Sequence, residues 1–338
     1  MPITRILIVG LGSIGLRHLR LARQLLPQAN IRVLRHQKCE TTPEYANGCL
    51  SSLAEALAFD PQAAVIASPS VFHLQTAQPL AEAGVHLLVE KPLAASVAGV
   101  ARLLATCADR GNVLMTAYNL RFLHALQEYR KLIHSGFIGK IISVRCEIGQ
   151  YLPLWRPDTD YRQGVSAVRA LGGGALLELS HEIDYLRWIF GEVAWVRAVL
   201  GKQSDLEIDV EDTAHLILGF KKKSDGRQLV ASLNMDFVRH DPARQCVAIG
   251  ESGSLRWSGL TGSVDLFPPG GKAWQQVYSH PPMRDESYIA EWQHFLNCIC
   301  EGATPLITGR DGLEALNIVE AARRSATARG ETPVERGE

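Results

Sequence analysis

Three glycines, Gly10, Gly12 and Gly15, follow the apolar run Ile6-Leu7-Ile8-Val9. Their types and spacing suit the binding of a pyrophosphate. Gly10 permits a tight turn out of a strand, Gly12 lets the backbone approach the phosphates, and Gly15 lets the next helix lie close to the strand. Ser13 and Ile14 open that helix, whose N-terminal amides would hold the anion. The end of the second strand, Leu34-Arg35-His36, carries no acidic residue to accept from a ribose 2′-hydroxyl. A cation there suits a 2′-phosphate. The alternative is that Arg35 is an exposed strand-end charge and NAD is held by other contacts. The expected cofactor is NAD(P), with NADP favoured.

These residues need a frame, and the sequence supplies one. From Arg5 to Asn119, apolar runs at 5–9, 31–35, 63–68, 86–90 and 113–118 alternate with helical patterns at 13–26, 52–58, 71–83 and 96–110. That alternation predicts a Rossmann-type, doubly wound parallel sheet with helices on its faces and ligands at the C-terminal ends of its strands. The runs at 63–67 and 86–89 are apolar without alternation, as strands buried on both faces should be.

After a helical pattern at 121–135 the period changes. Segments 138–150, 193–202, 211–220, 228–238, 244–250, 253–257 and 263–267 read as strands. In 230–237, Ala231, Leu233, Met235 and Phe237 alternate with Ser232, Asn234 and Asp236, which predicts a half-buried, mostly antiparallel sheet. Helices at 172–190 and 286–301 are expected to cover one face, leaving the other for water or a second subunit. A helix at 311–329 closes the chain and 330–338 should fray. The fold class is thus α/β: a dinucleotide-binding domain over 1–120, then an α+β domain over 121–338 for substrate binding and oligomerisation.

Composition narrows the function. Lys plus Arg (35) equals Asp plus Glu (35) in 338 residues, with no long run of one sign. There is no electrostatic footprint for nucleic acid or an anionic membrane. No apolar stretch approaches the ~20 residues that span a bilayer, and no signal peptide is evident. A cytoplasmic protein with a small-molecule partner is expected, as a homodimer or homotetramer. The seven cysteines are scattered without a CxxC pair, so reduced thiols and no metal site are expected.

Further motifs occur in a fixed order: Gly10-x-Gly12-x-x-Gly15-x-x-His18, Ser68-Pro69-Ser70-x-x-His73, Glu90-Lys91-Pro92, Tyr118-Asn119-x-Arg121-Phe122, Gly172-Gly173-Gly174-x-Leu176 and His181-x-x-Asp184. Together they resemble the glucose-fructose oxidoreductase, inositol dehydrogenase and rhizopine-catabolism family, over nearly the whole chain. The resemblance implies cofactor contacts from Ser68, Pro69, His73, Glu90, Lys91 and Asn119, and substrate contacts from Arg121 and Asp184.

Lys91 follows strand 86–90, where cofactor and substrate should meet. An ammonium there can hold a hydroxyl and stabilise alkoxide character as hydride leaves; otherwise it is a solvated surface lysine. The reference pKa of histidine lies near neutrality, which suits His181 to take the hydroxyl proton, although a satisfied helix residue is its plain alternative. The family usually has an aspartate four residues before this histidine, but here Leu177 stands there. Glu178, three residues before His181, shares a helix face with it and is the candidate orienting carboxylate, with Asp184 the second. The connection 153–171 carries Trp155, Arg156, Tyr161, Arg162 and Arg169. Trp155 and Arg162 suit a sugar with acidic substituents, unless the segment is a subunit arm.

The resemblance implies hydride transfer between nicotinamide and a carbinol carbon of a sugar, cyclitol or sugar-nucleotide. Two other functions fit the same motifs: a lyase or glycosidase-like enzyme with a retained cofactor, which would show no net redox, and a non-enzymatic cofactor or sugar sensor.

Overall fold

The apolar runs of the N-terminal third become six parallel strands in the computed structural model, which describes residues 3–35, 41–222 and 224–336. They are β1 (Arg5–Val9), β2 (Asn30–Leu34), β3 (Gly48–Leu50), β4 (Ala63–Ile66), β5 (His86–Glu90) and β6 (Leu114–Ala117). Their order is β3-β2-β1-β4-β5-β6. The chain leaves β1 to one side and returns at β4 on the other, which makes the carboxyl ends of β1 and β4 the switch point where ligands bind such sheets. Ile6, Leu7, Ile8, Val65 and Leu88 have no exposed surface, as double-sided cover requires. The helices of this part are α1 (Ser13–Leu25), α2 (Leu53–Ala58), α3 (His73–Glu82) and α4 (Val100–Arg110). The compact unit holding this sheet comprises Met1–Tyr118 together with Tyr288–Leu316. Most of α8 (Glu286–Glu301) therefore belongs here. The expectation that 286–301 covers the second sheet is corrected: the fully buried Trp292 and Phe295 are core residues of the first unit.

The second unit comprises Asn119–Ser287 and Asn317–Glu338. Its nine strands are β7 (Ile141–Gly149), β8 (Val193–Gly201), β9 (Thr213–Phe220), β10 (Val230–Asp236), β11 (Ala243–Gly250), β12 (Gly253–Ser258), β13 (Ser263–Phe267), β14 (Gln275–Ser279) and β15 (Thr332–Pro333). The order is β14-β13-β12-β11-β7-β10-β9-β8-β15, antiparallel except for the β7–β10 pair. Ala231, Leu233, Met235 and Phe237 are buried, as the alternation predicts. The covering helices are α5 (His124–His134), α6 (Ala175–Glu178) and α7 (His181–Phe190). Polar bonds fix two of them to the strands: Tyr129 of α5 donates to Cys246, Tyr185 of α7 bonds Cys146, and Arg244 donates to Glu182. The outer face is mixed, with His215 bonded to Asn234 beside exposed Val199 and Ile217.

Three expectations are revised. The C-terminal segment does not fray over its described length: after α9 (Gly309–Ala328), Thr332 and Pro333 pair with β8 and Arg336 donates to Glu192 and to the carbonyl of Val193. Edge strands β3 and β14 were not legible, one being three residues long and the other polar and exposed. The expectation of reduced thiols is corrected at Cys49, which is disulfide-bonded; Cys107, Cys146, Cys246 and Cys298 are free thiols. His36 and Cys39 lie outside the described residues. Among the described residues no helix is long and apolar enough to cross a membrane.

Candidate active site

The glycine turn closes as its spacing requires. Gly10 sits at φ +89°, and a Cβ there would lie 2.8 Å from the carbonyl oxygen of Ala67 and 2.9 Å from the amide of Ser68. A Cβ on Gly15 would collide with the Gly10 carbonyl oxygen. Both glycines are thus fixed by close approach of backbone, not by local flexibility. Gly12 differs: nothing lies within 4 Å of where its Cβ would be. It is the N-cap of α1, with no side-chain cap and no acidic residue in the first turn. The amides of Ser13, Ile14 and Gly15 therefore open α1 beside free space, the arrangement that accepts an anion. Opposite, at the end of β4, the Oγ atoms of Ser68 and Ser70 are buried without a hydrogen-bond partner.

A chain of buried hydrogen bonds holds the end of β5. Trp292 Nε1 donates to His18 Nδ1 at 2.9 Å, and His18 Nε2 lies 2.8 Å from Glu90 Oε1. Indole can only donate, so Nδ1 accepts and the ring proton sits on Nε2, pointing at Glu90. The other oxygen of Glu90 accepts from the backbone amide of Lys91 at 3.1 Å. His18 and Trp292 have no exposed surface and Glu90 has 7%. Glu90 thereby fixes where Lys91, half-buried, leaves the strand. His73 braces the same region: Nε2 faces the Ser68 carbonyl at 2.7 Å and Nδ1 faces the carbonyls of Pro92 and Leu93 at 3.1 and 3.3 Å. Burial depresses its pKa, and both ring nitrogens are occupied by backbone, so its part is to join the β4 and β5 loops. Pro69 is the N-cap of the 3₁₀ turn Ser70–Phe72 that leads from β4 into α3. Arg35, at the end of β2, is half-buried, and its amide bonds the Leu50 carbonyl.

Sequence reasoning expected a helix over 286–301 but not that it completes this arrangement. Glu291, on α8, is fully buried with both carboxyl oxygens unbonded. Burial and the neighbouring carboxylate of Glu90 push its pKa well above the usual carboxyl range. Tyr288 lies beneath the guanidinium of Arg17, 4.6 Å from its ring centre. The only available signal was the apolar spacing of α8, which gave a core helix but not its partner.

In the second unit, Asn119 and Arg121 share a 3₁₀ turn. Asn119 Nδ2 donates to Ser287 Oγ at 2.8 Å. Arg121 grips Asp184 with a fork, Nε to Oδ2 at 2.9 Å and Nη2 to Oδ1 at 2.6 Å, with both side chains buried. This pair neutralises two buried charges and ties the turn to α7. His181 is the first residue of α7 and is 9% exposed. The segment 172–190 is two helices, not one. Ser180 bonds back to Leu177 and Glu182 to Leu179, three residues each. Glu178 and His181 therefore sit on different helices, α6 and α7, on either side of the turn at Leu179 and Ser180. Glu178 is half-buried and Leu177 is buried. Glu211, not anticipated, caps α6: its carboxylate accepts from the Leu176 amide at 3.1 Å.

The 153–171 connection is a run of short 3₁₀ turns. Trp155 stacks edge-on against Phe237 and donates to the Gln150 carbonyl. Arg162, half exposed, pairs with Asp160 and Glu207.

A doubly wound sheet with a glycine turn at its switch point defines a dinucleotide-binding α/β protein. Two family models then match: "Oxidoreductase family, NAD-binding Rossmann fold" over residues 4–118 and "Oxidoreductase family, C-terminal alpha/beta domain" over 130–335. The chain belongs to this glucose-fructose oxidoreductase, inositol dehydrogenase and rhizopine-catabolism family. It is 29% identical over 275 residues to the rhizopine catabolism protein MocA of Rhizobium meliloti, covering 76% of this chain and 74% of that one. It is 26% identical over 339 residues to myo-inositol 2-dehydrogenase of Thermotoga maritima, covering 95% and 96%. A solved levoglucosan dehydrogenase in complex with NADH shares the fold, with a TM-score of 0.85 at 23% identity over 99% and 100% of the two chains.

Gly12→Val should keep the fold, because Gly12 has an ordinary φ of −66° and open space at its Cβ. It should abolish nicotinamide dinucleotide binding, read by calorimetric titration; parental affinity would contradict the site. A second expectation concerns Glu291. A carboxyl whose pKa rises on folding contributes stability that is complete below the unfolded pKa and is lost as pH rises toward the folded one. Glu291→Gln removes that loss, so its unfolding temperature at pH 8 should exceed the parent's by about 2–4 °C, the gain shrinking toward pH 5. An amide variant less stable than the parent at pH 8 would contradict the upward shift of Glu291.

Proposed function

We propose that the protein is an NAD(P)-dependent dehydrogenase that oxidises or regenerates a carbinol carbon of a sugar, cyclitol or sugar-nucleotide. The observation that carries this reading is Lys91, delivered to the carboxyl end of β5 by a Glu90 carboxylate that Trp292 and His18 hold in place. The residues present fit a dinucleotide: an uncapped α1 terminus, open space over Gly12 and the unpartnered Oγ of Ser68. When bound, the cofactor supplies a nicotinamide that exchanges hydride. Gly10, Gly12, Ser13, Ile14 and Gly15 would hold its pyrophosphate, and Arg35 its adenosine ribose.

The protein's own task is the proton. The Lys91 ammonium holds the substrate oxygen and stabilises negative charge as the carbon loses hydride. His181 takes the hydroxyl proton during oxidation and returns it during reduction. Glu178 is assigned to orient His181, since Asp184 is engaged by Arg121. Names of relatives support the substrate class, as inositol is the substrate in one name above. The outer face of the nine-stranded sheet, with Val199 and Ile217 exposed, is assigned to self-association of the chain.

Lys91→Ala and His181→Ala should each lower turnover by ~100-fold or more with little change in dinucleotide affinity. Glu178→Gln should lower turnover and shift the pH profile belonging to His181. Near-normal turnover in both alanine variants, with a confirmed substrate, would refute the assignment and favour a sensor. Arg35→Ala should weaken NADP binding by about 10-fold and NAD binding little, the scale of one charge-assisted hydrogen bond. Equal shifts would remove the preference for NADP.

A further inference from the structure

Away from these residues, the second unit gathers two imidazoles and one carboxylate from three separate segments. His124 opens α5, His280 follows β14, and Glu286 opens α8. His280 Nε2 lies 2.9 Å from Glu286 Oε1, and His124 Nε2 lies 3.4 Å from the same oxygen. The three potential ligand atoms all lie within 4.8 Å of one another, and the two imidazole rings are 4.5 Å apart.

We propose that His124, His280 and Glu286 form a binding site for a divalent transition metal of the Zn²⁺ class, with solvent completing the coordination. The argument is geometric. Zinc bonds of 2.0–2.1 Å to nitrogen and oxygen in a tetrahedron place neighbouring ligand atoms about 3.3–3.4 Å apart. The two nitrogen–oxygen separations, 2.9 and 3.4 Å, bracket that edge. Small side-chain rotations about an ion would bring all three atoms to equal distance from it.

The donor set also selects the ion. Two imidazoles and one carboxylate suit Zn²⁺ and its transition-metal neighbours, while Mg²⁺ and Ca²⁺ require oxygen ligands. Accessibility is graded correctly for a site filled from solution: the His124 side chain is half exposed, His280 about a third, and Glu286 19%. Beside them, a pocket of ≈ 10 Å³ against Trp257 and Pro282 offers space at the lower limit for one water, a candidate for the open coordination position.

An ion here would join α5, the exit of β14 and the first turn of α8. Ser287, next to Glu286, accepts the Asn119 bond, so the same ion would stiffen the turn that carries Asn119 and Arg121. In sequence the ligands stand 156 and 6 residues apart, so no local spacing announces them.

The test uses full-length protein stripped with a chelator, then titrated with Zn²⁺ alone by calorimetry and with Co²⁺ alone by visible absorption. One equivalent should bind, Co²⁺ should give the intense d–d bands of a low-coordinate site, and Zn²⁺ should raise the unfolding temperature. His280→Asn and Glu286→Gln should each weaken this equivalent by at least about 10-fold, since even outer-shell changes cost 10–100-fold. His124→Asn, at an exposed position, should do the same without affecting folding. No binding by the parent, or unchanged stoichiometry and affinity in all three variants, would overturn the proposal and leave the cluster as an ion-pair network. Retention in the variants of Co²⁺ bands would place the ion on other ligands and overturn it equally.

Discussion

The indole N–H of Trp292 has only one role open to it, and the mouth of the six-stranded sheet is organised by that restriction. Because indole can only donate, it fixes His18 as an acceptor on one nitrogen and a donor on the other. The imidazole then holds one oxygen of Glu90, and the second oxygen holds the amide of Lys91. Every member is buried or nearly so, where a broken link would strand a polar group without water. Lys91 is thus placed by a rigid scaffold on the strand end, whereas a lysine on an exposed loop would spend most of its time elsewhere.

The second unit solves a similar problem with charge. Arg121 and Asp184 satisfy one another in a fully formed fork, so the 3₁₀ turn of 119–122 and helix α7 move as one piece. Losing one partner would leave a buried charge uncompensated, typically at a cost of about 3–5 kcal/mol. The fork also leaves His181, at the first position of the same helix, with an anchored backbone on which to act.

How much of this was legible in the sequence depends on the range of each interaction. The β1 turn was readable because Gly10, Gly12 and Gly15 act locally, each within a few residues of the strand it serves. The alternation around Leu233 and Met235 gave the second sheet because pleat and burial share a period of two. Lys91 was readable from its position after an apolar strand. Trp292 was not, since its partner His18 lies 274 residues away and the periodicity of α8 says only that one face is buried. Arg121 and Asp184 stand within the motifs that carry the resemblance, but their mutual fork spans 63 residues and no local spacing announces it. The break between Glu178 and His181 went unseen because no glycine or proline marks it.

The central claim is that hydride moves between a bound nicotinamide and a carbinol carbon held by Lys91. Incubation of the protein with NAD⁺ or NADP⁺ and polyols, cyclitols and sugar-nucleotides deuterated at their carbinol carbons, followed by mass spectrometry of the dinucleotide, tests it most directly. The account predicts deuterium on the reduced cofactor with one substrate class. Dinucleotide that binds in calorimetry yet gains no deuterium from any class would contradict it.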